Sequence, residues 1–229
     1  LVPPRLRRWV DSEQSECIDI WSDAMWEPTR GDDGEAVQVF DEVSGESFYS
    51  AKATLAFAVY RAWTGTWTHS YRDVGIDILR QLTPGKKTYI GQLEALAAAA
   101  VVHTLPADWL AGRDGFMWID NMGAKYSLQK GSAKKEDSAR IVDSFSKRVA
   151  SLGFRPWMEY VPSAQNVADL PSRGKWTEYY EAIGADAGGV LPSGAYASDW
   201  MDVCVPDVSG WSTMTEVESP SQPSRKRRR

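Results

Sequence analysis

Residues 116–135, FMWIDNMGAKYSLQKGSAKK, decide the fold that the sequence predicts. A short run of large apolar side chains ends abruptly at Asp120 and Asn121, which favours a buried strand that delivers a carboxylate to the edge of a sheet. The Gly-, Ala- and Lys-containing segment that follows predicts a helix that carries Lys125 and Lys130 past this carboxylate. A charge at the end of a buried strand costs free energy unless it is paired or has a function. Asp120 is therefore the first candidate functional residue.

The composition is that of an ordinary globular protein. The chain has 229 residues, of which 43% are hydrophobic and 25% are charged, so one good core is expected. Cys17 and Cys204 are far apart, which argues against a disulfide framework or a zinc knuckle and fits a reducing compartment. Without a long apolar run or a secretory signal, we expect an intracellular protein, cytoplasmic or nuclear, with no membrane span. Since the first residue is Leu1 rather than Met, we expect a fragment of a longer protein.

Charge is distributed unevenly along the chain. The net charge of −5 disfavours binding to nucleic acid when taken alone. Residues 121–155, however, hold eight Lys or Arg against three acids, and residues 225–229 read RKRRR. The basic stripe at 121–155 therefore predicts contacts with phosphates. For the terminal RKRRR, a nuclear-localisation or phosphate-binding tail and a merely solvated tail both stay open.

The hydrophobic pattern predicts an α/β chain, with a mixed sheet flanked by helices. We expect strands within residues 17–24, 54–73, 76–79, 116–120 and 154–161. We expect helices at residues 91–104, 122–130 and 134–152, and a last structured piece that begins with residues 166–173. The predicted domain spans 17–183 with a loop insertion at 27–53, between a linker at 1–16 and a loosely ordered extension at 184–229 that carries the basic tail.

Four acids are predicted to lie at element ends: Asp23, Glu94, Asp120 and Asp169. Carboxylates gathered at adjacent strand ends repel one another unless a cation holds them. Oxygen ligands without His or Cys select Mg²⁺ or Mn²⁺. Two such ions roughly 3.5–4 Å apart activate a water and stabilise the leaving oxygen in phosphodiester hydrolysis, so a two-ion nuclease site becomes a candidate.

These residues resemble the ribonuclease H domain of reverse-transcribing elements, close to that of retrotransposon polyproteins. The family's first strand ends in Asp and a small residue, as in SDA at 22–24, and its first helix opens with Leu-Glu, as at 93–94. Its fourth strand ends in Asp-Asn, as at 120–121. Its last helix opens with Asn-x-x-Ala-Asp-x-x-Ser-Arg, matched by NVADLPSR at 166–173. The match runs in order from about residue 17 to 175.

The resemblance implies a metal-dependent endonuclease that hydrolyses the RNA strand of RNA–DNA hybrids with two ions of Mg²⁺ or Mn²⁺ per site. It also implies a retroelement polyprotein with an upstream reverse-transcriptase domain. The catalytic residues and metal ligands would be Asp23, Glu94, Asp120 and Asp169. The residues that contact nucleic acid would be Asn121, Lys125, Lys130, Lys134, Lys135, Asn166 and Arg173, with Asn121 placed to hold a sugar or its 2′-hydroxyl.

Three features depart from the family pattern. Segment 27–53 is longer than the usual connection after the first strand, and Pro171 follows the Leu that comes after the family Asp. The loop at 162–165 has no His, although many cellular ribonucleases H place a product-releasing His there. We expect this difference to slow turnover without abolishing it.

Simpler readings compete with the catalytic ones. Asp19 competes with Asp23 but is predicted to lie in mid-strand, Glu94 alone could serve the helix dipole, and Asp169 alone could be an N-cap. The lysines after Asp120 could form a solvated face. The competing function is a catalytically inactive ribonuclease H-like module that only grips nucleic acid, and a third is another nuclease or transposase of the same fold.

Two other groups of residues are predicted to be structural. His69 and His103 are expected in structural or surface positions. Trp63 and Trp67 are expected to pack in the core or the hairpin rather than to form a base-stacking platform.

Overall fold

The computed structural model describes residues 17–184 and the backbone of residues 215–218. The linker predicted at 1–16 lies outside the described residues. So does most of the extension predicted at 184–229, including the basic tail.

A mixed sheet organises the described chain. Its strands are β1 (Ile18–Pro28), β4 (Ala51–Arg61), β5 (Thr66–Asp73), β6 (Asp114–Ile119), β7 (Arg155–Tyr160) and β8 (Thr215–Glu218), and a separate hairpin consists of β2 (Gln38–Asp41) and β3 (Glu46–Tyr49). The strand order of the large sheet is β7-β6-β1-β4-β5-β8. β1 runs parallel to β6 and antiparallel to β4, and β6 runs parallel to β7, so the sheet is mixed.

Helices cover both faces of this sheet, which confirms the predicted α/β fold class. They are α1 (Ile76–Leu79), α2 (Ile90–Thr104), α3 (Ala107–Leu110), α4 (Met122–Lys130), α5 (Glu136–Leu152), α6 (Asp169–Ser172) and α7 (Trp176–Ile183), with a 3-10 turn at Ser163–Gln165. The apolar sides of α2, α4 and α5 pack on one face of the sheet, and α7 packs on the other.

Helix α2 lies between the sheet and α5. Twelve of its fifteen residues are buried, because its run of alanines is small enough to approach neighbours on several sides. Helix α5 buries Ile141, Val142 and Phe145 against this core, as its 3.6-residue stripe predicted. Gly131 and Gly153 end α4 and α5 with φ of 70° and 61°, a left-handed conformation that glycine adopts without steric cost.

Aromatic side chains fill the opposite face. Tyr179 and Tyr180 of α7 pack on β4 and β5, where the buried His69 ring lies 4.9 Å from the ring of Tyr179. The prediction that His69 is structural is therefore confirmed. The ring of Trp67 lies 5.2 Å from the rings of both Trp21 and Tyr60, which confirms that it packs within the protein.

Two predictions about local structure are wrong. Residues 76–79 form helix α1 rather than a strand, since Ile78 and Leu79, adjacent in sequence, are both buried while Ile76 is exposed. The range 27–53, expected as a loop, contains the end of β1, the β2–β3 hairpin and the start of β4. Its strands show no regular alternation of apolar and polar residues because most of the hairpin faces solvent, including the apolar Phe40 at 62% exposure.

Polar contacts hold this hairpin to the domain. Arg80 donates from Nε and Nη2 to the two carboxylate oxygens of Asp41, at 2.7 and 2.6 Å. The hydroxyl of Ser44 also donates to Asp41. Such long-range pairs leave no periodic signal in the sequence. No helix in the described part of the chain has the length and apolar character needed to cross a bilayer.

Candidate metal centre

Three of the four predicted acids meet at one end of the sheet. One carboxylate oxygen from each of Asp23, Glu94 and Asp120 lies within 4.8 Å of the other two. We call these three residues the acidic triad. They come from β1, α2 and the residue that follows β6, so three separate elements converge on one point.

The sheet register explains how Asp23 and Asp120 meet. The parallel pairing of β1 with β6 ends at Ser22 opposite Ile119, and Asp23 and Asp120 are the next residue on each strand. β1 itself continues to Pro28 against β4, so Asp23 does not close the strand as predicted. It lies instead where its parallel neighbour ends, and the carboxyl ends of parallel strands share one edge.

Glu94 reaches the triad from the buried side of α2. The helix begins at Ile90, which places Glu94 in the second turn rather than the first, and its exposed fraction is 3%. A favourable interaction with the helix dipole is expected mainly for exposed first-turn acids. The simpler reading of Glu94 is therefore disfavoured by its position.

Burial and mutual repulsion perturb the acidic triad. Burial raises the pKa of Asp23 from 3.8 to about 7; a hydrogen bond from Ser172 opposes this rise, and the charges of Asp120 and Asp169 add to it. Burial, followed by the charges of Asp23 and Asp120, raises the pKa of Glu94 well above its usual range. A bound cation or protons would relieve this repulsion.

The triad fits a hard divalent cation. All of its donors are carboxylate oxygens, which suit Mg²⁺ or Mn²⁺ better than softer metals. Glu94 Oε2 is buried and has no hydrogen-bond partner among the described residues. Such an orphaned acceptor is costly unless another group binds it, and a cation held by the triad would do so.

Two buried side chains donate hydrogen bonds to the carboxylate of Asp23. Asn166 donates from Nδ2 to the carbonyl oxygen of Ser22 at 3.0 Å and to Asp23 Oδ1 at 3.4 Å. The hydroxyl of Ser172 donates to Asp23 Oδ2 at 2.5 Å. Both partners lie in the NVADLPSR motif, 143 and 149 residues from Asp23. The motif could have pointed to Ser172, but nothing in the sequence shows which atom it contacts.

Two of the predicted roles change as a result. Asn166 was expected to contact nucleic acid, but it is only 2% exposed and its amide is bonded to the protein's own groups. Its observed part is to hold the strand that carries Asp23. Asp169 accepts a hydrogen bond from Nε of Arg173 at 2.7 Å and is not part of the acidic triad, although its charge reaches Asp23.

The triad opens into a cleft of about 520 Å³. Its lining residues are Asp23, Ala24, Met25, Trp26, Glu27, Pro28, Ile90, Glu94, Asp120, Asn121, Ser163 and Arg173. Arg173 is thus the one predicted nucleic-acid contact that lines the cleft with a cationic side chain. Residues 25–28, at the end of β1, also line this cleft.

The other predicted contacts lie on and after α4. Asn121 caps α4 by accepting a hydrogen bond from the backbone N–H of Ala124 at 3.0 Å, and it also lines the cleft. Lys125 is partly exposed, and Lys130, Lys134 and Lys135 are exposed. Because α4 begins two residues after the triad's Asp120, this helix carries positive charge away from the acidic centre.

The competing candidate Asp19 lies outside the triad. It is the buried second residue of β1 rather than a mid-strand residue as predicted, and its Oδ1 accepts a hydrogen bond from Nε1 of Trp118 at 3.1 Å. Burial raises its pKa to about 6. His103 is likewise structural, since its Nε2 lies 3.2 Å from the hydroxyl of Ser144 inside the α2–α5 interface.

Two solved structures show a likeness to the chain. The first is the N-terminal ribonuclease H domain of Rv2228c from Mycobacterium tuberculosis, solved as a fusion with maltose-binding protein. It is 15% identical with a TM-score of 0.46, over 73% of this chain and 99% of that one. The second is RNase H1 from the halophilic archaeon Halobacterium salinarum, 16% identical with a TM-score of 0.46, over 71% of this chain and 98% of that one.

No protein-family model matches the chain, and no curated protein matches it. Neither structural likeness is close enough to assign an activity. The function proposed below is therefore built on the residues of the site.

Proposed function

We propose that the protein is a metal-dependent endonuclease that hydrolyses the RNA strand of RNA–DNA hybrids. The observation that carries this proposal is the acidic triad, in which three carboxylates from separate elements converge on an open cleft. Gathering like charges has a free-energy cost, and a bound divalent cation would offset it. The basic residues on α4 and Arg173 beside the cleft support a polyanionic substrate.

Each residue has a defined part in this proposal. Asp23, Glu94 and Asp120 would hold Mg²⁺ or Mn²⁺, which when bound activates a water and stabilises charge on the reacting phosphate. Asn166 and Ser172 keep the carboxylate of Asp23 oriented. Arg173 would engage a phosphate at the cleft wall, and Asn121, at the start of α4, would contact a sugar hydroxyl.

Asp169 completes the proposed set only if its ion pair opens. In the structure its carboxylate is paired with Arg173, whose side chain is 46% exposed. We propose that a substrate phosphate competes for Arg173 and leaves Asp169 free to take part in binding a second ion. The Arg173 side of this pair is open to solvent, which makes its guanidinium accessible to a phosphate.

The wider context is proposed from the sequence motifs alone. The NVADLPSR and IDN signatures resemble those of retroelement polyproteins, so we propose an upstream reverse-transcriptase domain as a partner. The RNA–DNA hybrid made by such a polymerase would be the substrate.

A second candidate is a catalytically inactive module that only grips nucleic acid. The Asp169–Arg173 pair favours it, because it leaves three rather than four carboxylates to hold ions. Under that reading the basic surface would act alone and the acids would have no role in binding.

A substrate panel separates the two candidates. A labelled RNA–DNA hybrid, single-stranded RNA and duplex DNA are incubated with the protein in Mg²⁺, in Mn²⁺ and with a chelator. Metal-dependent cutting of the hybrid's RNA strand alone supports the nuclease. Tight binding of the hybrid without cutting in either metal supports the gripping module.

A further inference from the structure

Ser172 approaches the acidic triad from its buried side. It is the last residue of α6, is 2% exposed, and does not line the cleft. Its hydroxyl lies 2.5 Å from Asp23 Oδ2 and 3.0 Å from the carbonyl oxygen of Asp169. We propose that Ser172 is a positioning residue that sets the divalent-cation affinity of the triad by fixing the orientation of the Asp23 carboxylate.

The hydrogen bond has a defined direction when Asp23 is ionised. A serine hydroxyl carries one hydrogen, and both of its neighbours here are acceptors. A carboxylate is the stronger acceptor, so the hydrogen goes to Asp23 Oδ2. The backbone N–H of Ser172 donates to the carbonyl oxygen of Ala168 at 3.1 Å, which holds the serine in the turn of α6.

The carboxylate needs this support because its last torsion angle is soft. Rotation about χ2 of aspartate has broad, roughly two-fold minima, so packing of the chain alone does not fix the plane of the oxygens. Ser172 holds Oδ2, and Asn166 holds Oδ1 at 3.4 Å while it is anchored on the carbonyl of Ser22. Together they engage both oxygens of the Asp23 carboxylate.

Partners of this kind are known to tune metal sites. Removal of a group that hydrogen-bonds a metal ligand typically costs ten- to a hundredfold in metal affinity or activity. The inference rests on the proposed function, because it assumes that the triad binds a cation. It adds a residue that touches neither the cation nor the substrate.

The test measures metal binding without nucleic acid. The full chain is titrated with MnCl₂ by calorimetry, as wild type and as Ser172→Ala, Ser172→Cys and Asp120→Asn. We expect Ser172→Ala to raise the dissociation constant for Mn²⁺ by about ten- to a hundredfold. Ser172→Cys, whose thiol is a weaker donor at nearly the same size, should fall between wild type and Ser172→Ala.

Ser144→Ala is the matched control. Ser144 is also a buried helical serine, at 3% exposure, and its hydroxyl is bonded to His103 rather than to an acid of the triad. It should lower the thermal unfolding temperature of the metal-free protein to a similar extent as Ser172→Ala and leave the Mn²⁺ affinity unchanged. A purely structural serine at 172 would behave in the same way.

The outcomes are distinguishable. Wild-type Mn²⁺ affinity in Ser172→Ala overturns the inference, and if that variant does not fold, wild-type affinity in Ser172→Cys overturns it. Mn²⁺ binding that is lost in Asp120→Asn, in a protein that cuts no hybrid, removes the proposed activity but leaves the Ser172 comparison valid. A wild-type chain that binds no Mn²⁺ overturns both.

Discussion

Asp23→Asn should stabilise the protein when no divalent cation is present. Asp23 is 1% exposed, and its pKa rises from 3.8 in the unfolded chain to about 7 in the folded protein, chiefly through burial. The folded state therefore holds a proton that the unfolded chain loses at lower pH. This contribution to stability is complete below about pH 4 and is lost as the pH rises through 7. About three pKa units correspond to at most about 4 kcal/mol at pH 8.

The assay is urea unfolding at pH 5 and pH 8 in EDTA, and again in Mg²⁺. In EDTA the wild type should lose stability between pH 5 and pH 8, and Asp23→Asn should lose much less. In Mg²⁺ at pH 8 the difference should shrink, since the wild type gains about 2.7 kcal/mol at a concentration one hundred times its dissociation constant and Asp23→Asn gains much less. Asp143→Asn is the control, because Asp143 forms an exposed ion pair with Lys147.

Two results would refute this reasoning. One is a wild type whose free energy of unfolding in EDTA is the same at pH 5 and pH 8. Ionisation of the buried carboxylates would then not destabilise the folded protein. The other is an Asp23→Asn variant that gains as much stability from Mg²⁺ as the wild type, since Asp23 would then not contribute to the cation site.

Three further outcomes are expected. Burial lowers the pKa of His69 to about 4, so the folded state should lose about 2 kcal/mol of stability as the pH falls from 6.5 to 5. Urea unfolding should show that His69→Phe removes this loss. Asp137→Asn should lower the free energy of unfolding by about 2–3 kcal/mol in thermal unfolding, because the buried carboxylate accepts hydrogen bonds from the ammonium of Lys86 and from backbone N–H groups. The exposed control Asp143→Asn should lower it by less than about 0.5 kcal/mol. Lys130→Ala should reduce the salt dependence of hybrid binding by about one charge, as measured by fluorescence anisotropy at several KCl concentrations. Lys147→Ala should change it less, because Lys147 already forms an ion pair with Asp143 on α5.

The parts of the fold with strong periodic signals were predictable. The apolar run that ends in Asp120 gave β6, and the stripe through Ile141, Val142 and Phe145 gave α5. Both signals arise because one side of the element meets a dry core, so the sequence must alternate with the period of the element. Elements held by solvent-facing or isolated polar contacts, such as the β2–β3 hairpin, carry no such alternation.

The acidic residues of the candidate site could be predicted from the sequence, but the residues that hydrogen-bond to them could not. Asp23, Glu94 and Asp120 could be selected because each belongs to a motif in a fixed order, and the structure brings them together. The contact of Ser172 with Asp23 depends on the tertiary packing of α6 against β1. Composition and spacing contain no information about such contacts.

The decisive measurement is cleavage of a labelled RNA–DNA hybrid in Mn²⁺ by wild type and by Asp120→Asn, with hybrid binding measured in parallel. We predict that the wild type cuts the RNA strand, whereas Asp120→Asn binds the hybrid with similar affinity and does not cut it. Equal cleavage by both proteins would contradict the assignment of the acidic triad as the catalytic centre.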